Sequence, residues 1–446
     1  MIYSYFITLK YFFLASFFYL FRFKKNQKLF LSGTVLLTKK SQRLKDNSTP
    51  DSLIAARLWK RVVFSVWKNS TSKVIFNFSH GNSSAIFDGK QQNYNLRINH
   101  VKQNSGDISV IFIARENLLF AENYFFKLFI ISCVSFVSIF ISLLSLIYRK
   151  HRNNLALIIS ELVECSNLLY VLKKNKIQKL HFYCPYENDA NVCAYILMKE
   201  KIFVNKIPSP GPLSGHNGIL LADSVSATSK YHLDEILHFQ NSIIINEINK
   251  WTPEFSNDYT NKYAVSTTPP PLTIGYYSSA SWLRTMQKNF GALVPGSMEE
   301  DELLYALKEY IEVKKNSALV IFPHPKEKSD DVFSKTVLHY ESILKKTNYR
   351  IADSALRSSE CFEQVDVGTG VYSTVLFERL FSGFKTLFFP YAVKDFPVAH
   401  STLNNICVFE KNSLFEKLDE ALELSKEIFF EKNGIKEYFF FGVKQN

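Results

Sequence analysis

The chain has 446 residues, of which 47% are hydrophobic and 15% aromatic, and it carries a net charge of +12. Its length allows two or three domains of about 150 residues each. With only 15 glycines and 14 prolines, collagen-like and low-complexity material is excluded. The six cysteines form no CxxC pair, so neither a zinc ribbon nor a disulfide framework is indicated.

The positive charge is compatible with two interpretations. One is a solvated surface rich in lysine and asparagine, and the other is attraction to anionic lipid or an anionic glycan. Nucleic acid is not an expected partner, because no basic helix and no alternation of aromatic and basic residues typical of the common modules occurs.

Two apolar segments in the first third of the chain predict a membrane-associated N-terminal region. Residues 1–29 form a hydrophobic segment that Lys10 interrupts, and a spanning helix, a signal anchor and an interfacial helix are all compatible with it. Residues 128–148 lack any charge and precede Arg149 and Lys150, which predicts a transmembrane helix within 124–150 with a cytoplasmic C-terminal end. A buried helix of a soluble protein is the alternative.

Between these segments, residues 30–123 predict a small mixed or β-rich region. Short runs with strand-like composition occur at 73–78 and 108–113, separated by polar stretches rich in turn-forming residues. Nothing in this region has a catalytic pattern.

After residue 152 the pattern changes to alternating helices and short apolar strands. This alternation predicts the α/β class, with parallel sheets and two Rossmann-like lobes at 153–266 and 272–446, separated by a proline-rich linker at 267–271. The strands expected in the first lobe are 179–185, 218–223 and 242–245, with a helix at 189–198. In the second lobe we expect strands at 272–279, 318–322, 349–351, 365–369 and 386–389, and helices at 299–314, 332–344, 375–381 and 414–430.

Two motifs in the second lobe place polar groups directly after predicted strands. The apolar run 320–322 leads into Pro323-His324-Pro325-Lys326, and Ser373-Thr374 opens an amphipathic helix after the strand predicted at 365–369. Open parallel sheets bind ligands at the carboxyl ends of their strands. Helix N-termini with hydroxyl side chains bind phosphate, to which an imidazole can also donate. The pair of motifs therefore predicts a nucleotide-phosphate site.

A His-Pro element followed by a Ser-Ser or Ser-Thr pair in the C-terminal half resembles the paired motifs of bacterial sialyltransferases and polysialyltransferases and, more loosely, of capsule Kdo transferases. These are GT-B glycosyltransferases. The resemblance implies that His324, Pro325, Ser373 and Thr374 hold the phosphate of a CMP-sugar and that no metal or other cofactor is required.

Other polar residues extend this predicted site. Lys326 could neutralise phosphate charge, Glu378 lies one helical turn after Thr374 and could accept from a sugar hydroxyl, and Ser278 and Ser279 follow the first strand of the second lobe. Solvated, capping or turn roles are the structural alternatives for these residues.

The resemblance also implies an acidic pair in the first lobe that supplies the general base. The nearest match is Glu187 and Asp189, which are separated by Asn188 and lack the following glycine of the family pattern. A carboxylate at that strand end could deprotonate an acceptor hydroxyl, whereas helix capping is the alternative for Asp189.

These observations predict a membrane-anchored, metal-independent glycosyltransferase that moves sialic acid or a related nonulosonate from a CMP donor to a surface glycan. The expected location is the bacterial inner membrane, with the catalytic portion in the cytoplasm where nucleotide-sugars occur. A UDP-sugar or CDP-polyol donor and a non-catalytic glycan-binding or assembly protein are the alternatives. Walker A, HExxH and GxSxG motifs are absent from the sequence, so P-loop, zincin and α/β-hydrolase chemistry is not supported.

Overall fold

A computed structural model describes thirteen stretches of the chain, most of them between residues 168 and 435. They are residues 84–88, 94–107, 109–114, 168–169, 171–173, 175–183, 189–208, 221–238, 246–251, 272–286, 297–371, 373–391 and 401–435. The two predicted membrane segments, the strand predicted at 73–78 and the proline-rich linker lie outside these ranges. Among the residues that the structure does describe, no helix is long and apolar enough to cross a bilayer.

The described part of the chain divides into two compact units, each built on its own sheet. The first sheet has six strands in the order β2-β1-β3-β4-β5-β6, and the pairs β1–β2, β1–β3, β3–β4 and β4–β5 are parallel. Its elements are β1 (Ser84–Asp88), α1 (Tyr94–Ser105), β2 (Val110–Ala114), β3 (Lys179–Tyr183), α2 (Asp189–Lys199), β4 (Phe203–Ile207), β5 (Ser224–Ala227) and β6 (Glu247–Lys250).

This first sheet corrects the predicted domain boundaries. We expected residues 30–123 to form a separate region, but β1 and β2 belong to the same parallel sheet as β3, and α1 lies between them in the chain. The physical reason is that all five residues of β1 are buried, as expected for a strand covered on both faces. A short apolar run in the sequence indicates such a strand but does not identify its partner.

The second sheet has five strands in the order β11-β10-β7-β8-β9, and every adjacent pair is parallel. Parallel strands alternating with helices confirm the predicted α/β class for both units. The elements are β7 (Leu272–Tyr277), α4 (Ser281–Met286), α5 (Ser297–Val313), β8 (Ser317–Phe322), α6 (Asp330–Leu344), β9 (Tyr349–Ile351), β10 (Val367–Gly370), α7 (Thr374–Phe381), β11 (Thr386–Phe388), α8 (Leu414–Glu423) and α9 (Lys426–Lys432), with 3-10 turns at Ser358–Gln364, Ser401–Ile406 and Lys411–Ser413. A further helix, α3 (Lys230–His238), follows β5.

The helix α3 also departs from the prediction, which placed residues 153–266 in the first lobe. It groups with the second unit, because the buried ring of Tyr231 lies 6.3 Å from Phe377 and 6.0 Å from Phe381, measured between ring centroids. These aromatic contacts join residues that are far apart in the sequence, so the local helical pattern does not reveal them.

Three predicted elements differ from the observed ones. Of the strand expected at 218–223, residues 218–220 lie outside the described residues, and the strand observed next in the chain is β5, whose sequence Ser-Val-Ser-Ala is too polar to stand out as a buried strand. The strand expected at 242–245 falls on residues that are not described, and β6 follows it. The single terminal helix predicted at 414–430 is two helices. The first ends before Leu424, whose backbone is extended, and Ser425 caps the second, because its Oγ accepts a hydrogen bond from the Ile428 N–H.

One charged side chain lies inside the core of the second unit and fixes the position of α7. Arg379 is fully buried and donates to the carbonyl oxygens of Phe362 and Val365, the latter at 2.9 Å. A Cβ at Gly368 would lie only 2.5 Å from the Arg379 side chain, so the glycine leaves the room that the guanidinium occupies. The contacts join α7 to the segment that leads into β10.

Candidate functional site

The candidate site lies at the carboxyl ends of three adjacent strands. In the second sheet, β7 is paired with β8 on one side and β10 on the other, with Tyr277 opposite Phe322 and Tyr276 opposite Thr369. The loops that follow β8 and β10, which carry His324 and Ser373, therefore begin at the same edge. Their strands are two spacings of about 4.8 Å apart, a distance that one phosphate group with its attached sugar can bridge.

His324 is a neutral hydrogen-bond donor in this structure. Its Nδ1 lies 3.1 Å from the Lys326 backbone nitrogen, whose N–H donates to it. A ring nitrogen that accepts carries no proton, so the proton of the neutral ring is on Nε2, which has no hydrogen-bond partner among the described residues. Burial lowers the pKa of His324 to about 4, and the positive charges of Arg284 and Lys326 contribute. The ring is therefore neutral at pH 7, with an N–H available to a ligand.

Glu327 holds the loop that carries this histidine. Its carboxylate accepts from the His324 backbone N–H at 2.6 Å, from the Tyr340 hydroxyl at 3.0 Å and from the indole N–H of Trp282, while its own backbone N–H donates to the His324 carbonyl. Burial and the neighbouring Glu300 carboxylate raise the pKa of Glu327 to about 7. One side chain thus joins the end of β8 to α4 and α6.

The turn between β7 and α4 is built around a second buried carboxylate. Glu300 of α5 accepts from the backbone N–H groups of Ser279 at 2.6 Å and Ser281 at 3.0 Å, and also from the Ser281 hydroxyl. Ser278 and Ser279 are both buried, and the Ser278 Oγ accepts from the Ala280 N–H. Because Glu300 already accepts from the backbone N–H groups of the turn, the predicted donor-binding role of the two serines rests on the Ser279 hydroxyl, which has no hydrogen-bond partner within the described part of the chain.

The N-terminus of α7 completes the edge. Ser373 is the N-cap residue in extended backbone conformation, and its side chain makes no capping hydrogen bond. Thr374 is exposed and begins the helix, and Glu378 is half-buried one turn further on. A Cβ at Gly370 would lie 2.7 Å from the Tyr277 carbonyl oxygen, so this glycine lets the end of β10 approach β7 closely. The helix start therefore has N–H groups and two hydroxyls that a phosphate can use.

The structure brings together some of the predicted site residues and leaves others apart. His324, Pro325, Lys326, Ser373 and Thr374 lie at one edge of the second sheet, with Pro325 and Lys326 exposed. Glu187 lies outside the described residues, and Asp189 is the first residue of α2. Within the described ranges, no group of three or more His, Cys, Asp or Glu side chains could hold a metal ion.

Three residues of this edge were missed by sequence reasoning, namely Arg284, Glu300 and Glu327. Glu327 follows His324 by three residues, and that proximity was a usable signal. Arg284 and Glu300 reach the site from α4 and α5 through packing, for which the sequence offers no local pattern.

A buried histidine of the first unit provides a comparison with His324. His181 of β3 is fully buried, its Nδ1 accepts from the Asn205 side-chain amide at 3.0 Å, and its Nε2 lies 3.2 Å from the Asp107 carboxylate. The Asn205 amide also bonds the hydroxyls of Ser224 and Ser226 in β5. Burial lowers the pKa of His181, and the hydrogen bond from His181 is the main reason that the pKa of Asp107 lies well below its usual range.

Comparison with known proteins finds likeness only among solved structures. No protein-family profile and no curated protein sequence matches the chain. A Thermobaculum terrenum O-GlcNAc transferase mutant shares 8% identity over 92% of this chain and 79% of its own, at a TM-score of 0.40. A Neisseria meningitidis UDP-GlcNAc 2-epimerase bound to UDP-GlcNAc shares 9% over 79% and 94%, at 0.43. The spinosyn rhamnosyltransferase SpnG with thymidine diphosphate shares 12% over 79% and 94%, at 0.41. Similarity at this level assigns neither a residue role nor an activity to this chain.

Proposed function

We propose that this protein is a glycosyltransferase that binds a nucleotide-sugar donor by its phosphate at the carboxyl edge of the second sheet. The observation that carries the proposal is the neutral His324 ring, whose Nδ1 accepts from the Lys326 N–H and whose Nε2–H has no partner among the residues described, in a loop at the same sheet edge as the start of α7. The neutral His324 ring can donate a hydrogen bond without first taking up a proton. The N-terminus of α7 has no side-chain cap, so its N–H groups can also donate, and both features favour binding of an anionic group.

The proposed mechanism is stabilisation of the leaving phosphate. When the bond between the sugar and the phosphate breaks, negative charge grows on the phosphate oxygens. The His324 Nε2–H, the hydroxyls of Ser373 and Thr374 and the first N–H groups of α7 donate to that charge, and exposed Lys326 adds a positive field. Fixed donors lower the barrier because they need no reorientation as the charge develops. Glu378 supplies an acceptor for a sugar hydroxyl.

A carboxylate of the first unit is the proposed general base. Glu187 or Asp189 would take the proton from the acceptor hydroxyl as that oxygen attacks the anomeric carbon. Support for this step comes from the resemblance of the acidic pair, and no metal takes part in the proposed reaction.

The narrower assignments extend the same proposal. A CMP-linked nonulosonate as donor and a surface glycan as acceptor follow from the His-Pro and Ser-Thr resemblance, and a UDP-sugar or CDP-polyol would use the same phosphate donors. Membrane anchoring rests on the uncharged segment 128–148 and its basic flank, with the sheet edge facing the cytoplasmic pool of nucleotide-sugars.

The test is a thermal-shift screen of the full chain in detergent against CMP, CDP, UDP and GDP, followed by turnover assays with the corresponding nucleotide-sugars. A ligand that binds only the folded state raises the melting temperature. His324→Ala is expected to lower kcat/KM on the order of 100-fold with an unchanged circular dichroism spectrum. Normal turnover by this variant would overturn the proposal, and nucleotide binding without turnover on any acceptor would favour a non-catalytic binding protein.

A further inference from the structure

Arg284 lies in the last turn of α4, half-buried, and only part of its guanidinium is used. Its Nε donates to the Ser279 carbonyl at 3.1 Å. Arginine has five N–H donors, and the four on the terminal nitrogens of Arg284 have no hydrogen-bond partner among the described residues. None of the ion pairs of the described residues includes Arg284 either.

The anchor of Arg284 lies beside the loop that carries His324. The Ser278 N–H donates to the Phe322 carbonyl at 3.2 Å, so β7 and β8 are still paired where both strands end. Ser279 is the next residue on one strand, and Pro323 and His324 follow on the other. Of the two positive charges that disfavour protonation of His324, that of Arg284 has the larger effect, ahead of Lys326.

The turn that holds Arg284 is rigidly fixed. The Glu300 carboxylate takes the N–H of Ser279, and the carbonyl of the same residue accepts from Arg284. The two nearby carboxylates, Glu300 and Glu327, are committed to backbone, indole and hydroxyl donors. The edge therefore carries a fixed cation without a carboxylate partner beside a neutral N–H donor, an arrangement that suits an anionic ligand.

We propose that Arg284 is a further donor-binding residue, whose terminal nitrogens bind the phosphate oxygens of the nucleotide together with the His324 Nε2–H. This inference rests on the proposed function and adds to it the residue that carries positive charge to the phosphate. A planar guanidinium held through Nε presents its two terminal nitrogens in the geometry that fits two phosphate oxygens. The same contact would serve a monophosphate or a diphosphate.

The experiment is isothermal titration calorimetry of the full chain in detergent with CMP, CDP, UDP and GDP and with the nucleosides cytidine, uridine and guanosine. Arg284→Gln is expected to weaken nucleotide binding at least on the order of 10-fold, because a charge-assisted pair of hydrogen bonds is lost, and to leave nucleoside binding unchanged. The matched control is Arg350→Gln, which removes the same charge from an exposed side chain of β9 that bonds Gln364. Nucleotide affinity of Arg284→Gln within twofold of the control overturns the proposal.

Two further measurements separate this inference from the proposed function. In the protein without ligand, NMR titration of His324 in Arg284→Gln is expected to show a pKa above that of the wild type but still below 6.5, because burial is the larger cause of the lowering, and an unchanged pKa would overturn the placement of Arg284. Wild-type protein that binds none of the four nucleotides would overturn the proposed function itself. If Arg284→Gln does not fold, Arg284→Lys replaces it and should still lose nucleotide affinity, since an ammonium group cannot reproduce the fork; full affinity there counts against the proposal.

Discussion

The two units each hold a buried or half-buried histidine whose Nδ1 accepts a hydrogen bond, and the difference lies at the other nitrogen. In the first unit, the Nε2 of His181 is directed to the Asp107 carboxylate, so both ring nitrogens are engaged inside the protein. In the second unit, the Nδ1 of His324 is engaged by the Lys326 N–H and Nε2 is not engaged by any described residue. Both ring nitrogens of His181 thus contribute to contacts within the protein, whereas the Nε2–H of His324 is left for the ligand contact that we propose.

The two rings also differ in their position relative to the sheet. His181, Asn205 and Ser224 face one another across β3, β4 and β5 in register, so their polar groups satisfy one another inside the sheet. His324 lies after its strand has ended, in a loop that the buried Glu327 holds. Fully satisfied polar groups within a sheet specify its register, while polar groups beyond the strand ends remain open to solvent and ligand.

The largest expected effect comes from breaking the network in the first unit. His181→Ala would remove one hydrogen-bond partner from the Asn205 amide and one from the Asp107 carboxylate and would create a cavity, so we expect the free energy of unfolding to fall by about 4 kcal/mol. Urea denaturation followed by circular dichroism measures this change. His324→Ala is the matched comparison and should cost less than about 1 kcal/mol. Equal costs for the two variants would contradict the proposed division of roles.

A smaller effect is expected from the residue that holds the His324 loop. The His324 N–H and the Trp282 indole N–H donate to different oxygens of the Glu327 carboxylate. Glu327→Gln replaces one of these oxygens by an NH₂ group, which cannot accept, so one of the two hydrogen bonds is lost. We expect the free energy of unfolding to fall by about 2 kcal/mol and the nucleotide affinity to fall roughly 10-fold. Calorimetric titration at pH 8, where Glu327 is ionised in the wild type, measures the second effect. Glu360→Gln, a change at a part-buried carboxylate elsewhere in the unit, should leave nucleotide affinity unchanged.

The last expected effect, no larger than the one before it, is a pH dependence that separates the wild type from His324→Ala. The pKa of His324 is about 4 in the folded chain and near 6.5 when unfolded. As pH falls from 6.5 to 4, the unfolded chain takes up a proton that the folded chain excludes, so the wild type loses stability by on the order of 2 kcal/mol. The alanine variant lacks this loss. Urea denaturation at pH 4.5 and pH 7 measures the unfolding free energies of both proteins. Relative to the wild type, the variant should be more stable at pH 4.5 than it is at pH 7. A difference that is the same at both pH values would show that His324 has an ordinary pKa.

The sequence allowed us to predict the strand ends and the helix start at the edge of the second sheet, but not the buried side chains that hold the loops there. The apolar run before His324 and the amphipathic segment after Ser373 predict strand ends and a helix start, because local periodicity encodes them. The carboxylate of Glu300 and the guanidinium of Arg284 act through packing between α4, α5 and β7, and no local pattern records such contacts.

The first unit was harder to predict for a related reason. His181 and Asn205 are polar residues in buried strands, and only the register of β3 and β4 shows that they satisfy each other. β5 consists of small and polar residues, and its serines are buried because they bond to Asn205 of the neighbouring strand β4. The run predicted at 108–113 overlaps β2, whereas β1 at Ser84–Asp88 was not among the predicted strands. The sheet forms because β1 pairs with β3, and the paired residues Ser84 and Lys179 are 95 positions apart in the chain.

The most direct test of the central claim is ¹⁵N NMR of the histidine side chains in the full chain, with His324→Ala used to assign the resonance. We predict a neutral ring at pH 7 with the proton on Nε2, titration only below about pH 5, and a change in the Nε2 resonance on adding the nucleotide that raises the melting temperature. A ring that is protonated at pH 6.5, or an Nε2 resonance that stays the same at saturating nucleotide, would contradict the account.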